Sequence, residues 1–166
     1  MLVRRRVGHD LPGSVRALRE VHEADGYPAR WPADPAAWLT PSGTVDCWVA
    51  EVTGVVVGHA CLVGGVVDGV VSRLTGAPAD GLGAVSRLYV APQGRGRGLG
   101  AGLLGAVTTG ATERGLQVVL DVVEGSGAVR LYERLGWRLV DRRSADWTTP
   151  SGARPSIRVY LPPPPG

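Results

Sequence analysis

The sequence predicts an α/β fold, on three observations. Two nine-residue apolar runs, Thr44 to Val52 and Val55 to Val63, flank the pair Thr53-Gly54, which is a hairpin signal. A strand pattern at Ala84 to Val90 runs through Pro92 and a Gly-Arg loop into a helical pattern, and a further apolar run follows at Leu116 to Val123. Across the whole chain, about six or seven segments carry strand patterning and about four carry helical patterning.

Taken in order, Leu2 to Gly8 alternates Val3, Arg5 and Val7 with polar residues and reads as a first strand. Asp10 is a candidate N-cap, with Pro12 in the first turn of a helix whose apolar face is Val15, Leu18 and Val21. Asp25-Gly-Tyr-Pro stops that helix near Ala24. A rigid connector, Tyr27-Pro-Ala-Arg-Trp-Pro, leads to a short helix capped by Asp34 with Pro35 at its first position. A two-residue turn at Thr53-Gly54 would pair Cys47 with Ala60 and Trp48 with His59. It would set Cys61 on the opposite face from Cys47, so the two cysteines are read as reduced structural thiols. The Gly-rich stretch 64–83 reads as a loop or wide hairpin and as a candidate flap.

After the strand at Ala84 to Val90, a helix buries Leu99, Leu103, Leu104, Val107 and Ala111 and ends at Gly115. Leu116 to Val123 is nearly continuous in apolar residues, as in a central strand covered on both faces. Ser126 caps a further helix that closes at Gly136. Trp137 to Ser144 and Ser156 to Leu161 read as the last two strands, and 162–166 is a Pro-rich tail read as disordered or extended. With no repeat or linker, residues 1–166 are expected to form one domain.

Composition excludes several classes. All 18 basic residues are Arg, and Lys, Asn and Phe are absent, a bias expected of a G+C-rich genome. The net charge of +3 is mild and no basic stripe with interleaved aromatics occurs, so no nucleic-acid partner is expected. No apolar run is long enough to span a membrane and the N-terminus lacks a signal-peptide core, so the cytoplasm is the expected compartment. Two cysteines without a His cluster are too few for a zinc site, and no metal is expected. A homodimer is left open.

The chemistry centres on Ala84 to Gly100, AVSRLYVAPQGRGRGLG. A strand feeding a Gly-rich turn onto a helix N-terminus is a phosphate site, because Gly lets the backbone approach and the first helical N–H groups lack partners. Arg95 and Arg97 add positive charge there. Gly96-x-Gly98-x-x-Ala101 also fits the dinucleotide fingerprint, with Asp121 about twenty residues on. Against that reading, about eighty residues of hairpin-type pattern precede the loop, Asp121 lies inside a strand run, and about forty-five residues remain after it. No Gly-Lys-Ser/Thr occurs, which excludes a P-loop.

Arg95-Gly-Arg-Gly-Leu-Gly100 resembles the R/Q-x-x-G-x-G/A signature of the GNAT superfamily of N-acetyltransferases. Leu88-Tyr-Val-Ala-Pro92 resembles that family's fourth strand and stop. Leu131-Tyr-Glu-Arg-Leu-Gly-Trp137, about thirty residues on, resembles its second signature. The match at motif level spans about Val85 to Trp137. The resemblance implies a mixed, mostly antiparallel sheet whose fourth and fifth strands splay to admit acetyl-CoA. It implies that the backbone of Arg95, Gly96, Arg97, Gly98, Leu99, Gly100 and Ala101 holds the pyrophosphate. Leu88 and Val90 would pair with the pantetheine arm, and the N–H of Tyr89 or Val90 would polarise the thioester carbonyl. Tyr132 takes the position of the general acid and also contacts the cofactor. Gly125 stands where family members often carry Asn, with Ser126 or backbone as the substitute contact.

For the base that deprotonates the amine, Glu51 is the residue backed, while Asp121, Glu124, His59 and Ser86 are also open. Tyr27 and Trp31, flanked by Glu23, Asp25 and Asp34, are candidate acceptor-site aromatics. The expected activity is acetyl transfer from acetyl-CoA to a primary amine, most simply a small molecule. The alternative is an acyl-CoA-binding sensor of the same fold without turnover.

Overall fold

The computed structural model describes residues 1–165. Seven strands form a sheet in the order β1-β2-β3-β4-β5-β7-β6. They are β1 (Leu2–Arg5), β2 (Thr44–Val52), β3 (Val55–Val63), β4 (Leu82–Val90), β5 (Gln117–Val123), β6 (Arg138–Ser144) and β7 (Ser156–Leu161). Every neighbouring pair is antiparallel except β4 with β5. The helices are α1 (Leu11–Asp25), α2 (Pro35–Trp38), α3 (Gly69–Thr75), α4 (Leu99–Glu113) and α5 (Ala128–Arg134).

The β2–β3 hairpin forms over the residues its pattern predicts, turning through Thr53 (φ 49°) and Gly54 (φ 79°), the left-handed pair of a type I′ turn. Its register departs from the expected one. A bulge between Ala50 and Glu51 inserts one residue of β3, so that Cys47 faces Cys61, Trp48 faces Ala60 and Val49 faces His59. The cysteines therefore share one face rather than opposite ones. Their sulfurs are 2.7 Å apart, both are buried, and both are free thiols. The contact between the two thiols lowers the Cys47 pKa and raises that of Cys61. His59 Nε2 completes a cluster of ligand atoms within 4.8 Å of one another, and Arg6 Nη1 lies 2.9 Å from that nitrogen. The guanidinium is thus the cation that this donor set already faces.

Two layers of helices cover the sheet. Trp48 and Ala50 point to α4, where the Trp48 ring lies against Gly110 and Leu103 packs at Gly58. The alternate residues Cys47, Val49, His59 and Cys61 point to α1 and α2. There the Tyr89 hydroxyl donates to Ser14 O and the Cys61 thiol to Leu39 O. The Gly-rich stretch, whose composition predicts a loop or wide hairpin, holds the helix α3. Asp68 accepts from the N–H groups of Val70 and Val71, and Val71 is fully buried against Leu82, Val119, Val159 and Leu161. One buried valine on a capped turn was too little periodic signal to distinguish from a loop.

Asp10 also corrects its expectation. It makes no side-chain cap to α1. Its carboxylate instead accepts from Val7 N and from both terminal nitrogens of Arg4, and it is only 3% exposed. β1 correspondingly stops at Arg5, before the 3₁₀ turn Gly8–Asp10. Of the Pro-rich tail, residues 162–165 carry no regular element, and Gly166 lies outside the described residues.

Candidate active site

β4 and β5 pair only at Leu82–Gln117, Gly83–Val118 and Ala84–Val119. Beyond Ala84, β5 turns to pair with β7, so the residues of β4 from Val85 to Val90 present an edge without a strand partner. Ala91 N–H donates to Val57 O on the β3 side. By strand alternation, the N–H of Val90 points to the open edge and that of Tyr89 toward β3. A second bulge sets Arg87 and Leu88 opposite Ala60, with Arg87 in the left-handed region at φ 54°. The cleft is thus a β-strand edge facing a gap.

The Gly-Arg loop closes one end of this cleft. Gly96 (φ 75°) and Gly98 (φ 77°) adopt left-handed backbone, and Gly98 is the N-cap of α4. Left-handed turns of this kind aim successive N–H groups into one concavity, and the first turn of α4 adds its own unpartnered donors. A Cβ at Gly100 would lie 3.0 Å from Leu131, so α5 packs directly on this turn. Arg95 is tied back, donating from Nε to Val90 O (3.0 Å) and ion-paired with Asp25. Arg97 is exposed beside it. The arrangement fits an acyl-CoA: N–H donors for a pyrophosphate and an unpaired strand edge for an extended amide-bearing arm.

Tyr132 reaches the cleft from α5. Its ring is buried against Trp137 (6.4 Å) and Tyr160 (6.0 Å). Its hydroxyl has no protein partner among the described residues and is not sealed from solvent. Burial raises the phenol's pKa, and the charges of Tyr27 and Asp121 add to the rise, so the group holds its proton across the working range. The N-cap of α5 is Gly127 rather than the expected Ser126, which sits one residue earlier and accepts from Ala128 N through its hydroxyl (3.2 Å) and from Val129 N through its carbonyl. Gly125 before it has φ 85°.

On the other face, a cavity of about 230 Å³ lies in the fork of the two strands. Its polar lining is Asp68, Ser86 and Asp121, among Val, Ala, Leu and Pro side chains. Asp121 is exposed to solvent, with the cavity wall on one side of it. Partial loss of hydration pushes its carboxyl above the usual value; Arg143 pulls the other way, and Asp146 and Asp68 add to the rise.

The sequence candidates for the base separate on geometry. Glu51 is ion-paired to Arg4 (3.1 Å), beside Asp10, in a different depression, and is not brought to Tyr132. Glu124 is held by Arg158 and Arg142. His59 is fully buried with both ring nitrogens engaged, at Arg87 O and Arg6. Asp121 and Ser86 remain in the fork. The aromatics separate too. Trp31 packs on α1 against His22 (5.3 Å) and under Arg19 (4.5 Å). Tyr27 meets Trp38 edge-on at 6.0 Å, and its phenol, pushed up to about 12 chiefly by lost hydration, senses Arg87, Cys61 and Asp121.

Two cleft residues were not singled out from sequence. Trp38 stacks under the Arg87 guanidinium at 3.8 Å and accepts from Arg87 Nε through its carbonyl at 2.9 Å. The signal was present as Ser86-Arg87, a polar break in an otherwise apolar strand, which is the mark of a bulge.

Comparison with known proteins agrees with this geometry. None of the curated proteins matches the chain. Solved structures do. NAA60 of Arabidopsis thaliana, in complex with a bisubstrate analogue, superposes with a TM-score of 0.74 at 20% identity, over 96% of this chain and 95% of that one. The ribosomal-protein-S18-alanine N-acetyltransferase of Escherichia coli gives 0.68 at 20% identity, over 99% and 96%. YncA of Salmonella typhimurium, a putative acetyltransferase solved with its cofactor acetyl-CoA, gives 0.68 at 21%, over 96% and 91%. These likenesses establish the fold. The model of the acetyltransferase (GNAT) family matches residues 15–137, from within α1 through Trp137. The chain belongs to the acetyltransferase (GNAT) family.

Proposed function

We propose that the protein transfers the acetyl group of acetyl-CoA to the primary amine of a small molecule, with Asp121 as general base and Tyr132 as general acid. The observation that carries this is the parting of β4 from β5 beyond Ala84 and Val119. The gap has a buried phenol on one side and a carboxylate on the other.

Acetyl-CoA supplies an activated thioester. N–H groups of Gly96 to Ala101 would hold its pyrophosphate, and the open edge at Leu88 and Val90 its pantetheine arm. Asp121 takes the proton from an incoming ammonium, and the neutral nitrogen attacks the carbonyl carbon. The N–H of Val90 faces the oxygen on which charge develops. As the C–S bond breaks, Tyr132 gives its proton to the departing sulfur, and the second proton that the nitrogen sheds on becoming the amide restores the phenol. Each proton-transfer group is worth roughly 10²–10⁴ in rate. The raised pKa keeps the phenol protonated and able to donate, at some cost in acidity, and a carboxylate with a raised pKa is a stronger base than a solvated one.

The size of the acceptor cavity, about 230 Å³, supports a small acceptor. A second reading, acetylation of a polypeptide N-terminus, draws on the likeness to enzymes named for protein substrates. Thiol release from acetyl-CoA should appear with at least one member of a panel of small primary amines. Release only with N-terminal peptides would favour the second reading. Silence throughout would favour the sensor.

A further inference from the structure

The half-buried arginines of this chain are satisfied with one exception. Arg4, Arg143 and Arg158 each pair with carboxylates. Arg6 spends its terminal nitrogens on Leu39 O, Thr40 Oγ1 and His59. Arg87 is different. Its Nε donates to Trp38 O and its plane lies on the Trp38 ring, so its position is set. Its two terminal nitrogens have no hydrogen-bond partner and no carboxylate among the described residues. Burial lowers its pKa, the sign of a cation that has lost water without gaining an anion.

Its neighbourhood is the acceptor side. Ser86, next to it, lines the fork cavity with Asp121, and Pro41, just beyond α2, lines the same cavity. Tyr27 packs on the same Trp38 ring, and its phenol senses both Arg87 and Asp121. The left-handed backbone at Arg87 belongs to the bulge that swings this side chain out of the normal alternation. A planar guanidinium fixed on an aromatic face, with its outer fork empty, matches a planar carboxylate bidentately.

We infer that the acceptor carries a carboxylate beside its amine, as an amino acid does, and that Arg87 binds that carboxylate while Asp121 faces the amine. This rests on the acetyl-transfer reading for its second half, but the binding half stands alone. The fork cavity is lined by Asp68, already paired with Arg143, and by Asp121, which has no such partner; Arg87 stands next to the cavity, beside its lining residue Ser86, so the acceptor side sets a free guanidinium and a free carboxylate near one another, a pair suited to a zwitterion.

The test is titration calorimetry of the CoA-bound protein with small amino acids, their carboxamides and their decarboxylated amines, run on wild type and on Arg87→Met. At least one amino acid should bind about ten- to hundredfold more tightly than its carboxamide, the range of a charge-assisted contact. Arg87→Met should erase that ratio and leave the binding of the carboxamide within about twofold. Arg87→Lys should restore part of the ratio, since charge returns without the fork. If no amino acid binds better than its carboxamide, or if Arg87→Met weakens both alike, the inference is overturned. The acetyl-transfer reading fails separately: the amino acid binds with the stated ratio, yet no thiol is released from acetyl-CoA.

Discussion

In the proposed mechanism, Tyr132 and Asp121 carry the chemistry at the scale of single residues. Removing the phenolic oxygen leaves the ring packed on Trp137 and Tyr160, so Tyr132→Phe should fold normally. Its turnover number should fall about 10²-fold or more while the KM for acetyl-CoA stays within about threefold, measured by thiol release. Asp121 works as a base only when ionised, and partial loss of hydration raises its pKa. Activity should therefore climb with pH through a midpoint above the ordinary carboxylate range. No fall from Tyr132 is expected on the alkaline side, because its pKa is raised as well. Asp121→Asn should lower kcat and remove that acid limb. An unchanged limb would move the base to another group. The residue types at both positions were visible in the sequence. Which carboxylate faced the phenol was not, because Glu51 and Asp121 differ only in what the tertiary fold sets beside them.

Among the elements, α4 does two jobs that can be separated by substitution. Its outer end presents the left-handed loop: Gly98→Ala should strain the backbone by about 1–2 kcal/mol and raise the KM for acetyl-CoA, since φ 77° is costly with a Cβ. Its middle lies on the sheet, where a Cβ at Gly110 would meet the buried Trp48 ring at 2.7 Å. Gly110→Ala should lower stability by about 1–3 kcal/mol in denaturant unfolding and leave the KM for acetyl-CoA unchanged. Local chemistry wrote most element boundaries plainly: Thr53-Gly54, the Asp34-Pro35 cap, and Gly115 and Gly136 after their helices. The bulge of the β2–β3 hairpin did not show, because a one-residue insertion leaves the apolar pattern of a doubly buried strand unchanged. That single residue reverses which face Cys61 shares.

At the scale of the whole molecule, Arg4 clips β1 to the start of α1 through Asp10 and to β2 through Glu51. The Arg4 hydrogen bond, above all, holds the Asp10 carboxyl down at about 2. A lowered folded-state pKa stabilises the protein above the unfolded value near 3.8, and the contribution fades as pH falls through about 2. Asp10→Asn should thus cost about 2 kcal/mol at pH 7 and flatten the loss of stability between about pH 4 and pH 2, read by urea unfolding across pH. Acetyl-CoA at a hundred times its Kd should add about 2.7 kcal/mol and raise Tm by several degrees. NAD should do neither.

The order of strands and helices, the hairpin turn, the Gly-Arg loop on a helix N-terminus and the two signature segments were determined by the sequence alone. They depend on local backbone preference and on the periodicity of apolar residues, and both act within a few residues. Tertiary structure alone decided four matters: the insertion of β7 between β5 and β6, the parting of β4 from β5, the walling of the fork by Val66 and Asp68 ahead of α3, and the solitary Arg87 on Trp38. Each depends on which distant segments meet. Charge pairing and solvent exclusion arise only from that meeting, so the donor side of this enzyme could be read along the chain and the acceptor side only across it.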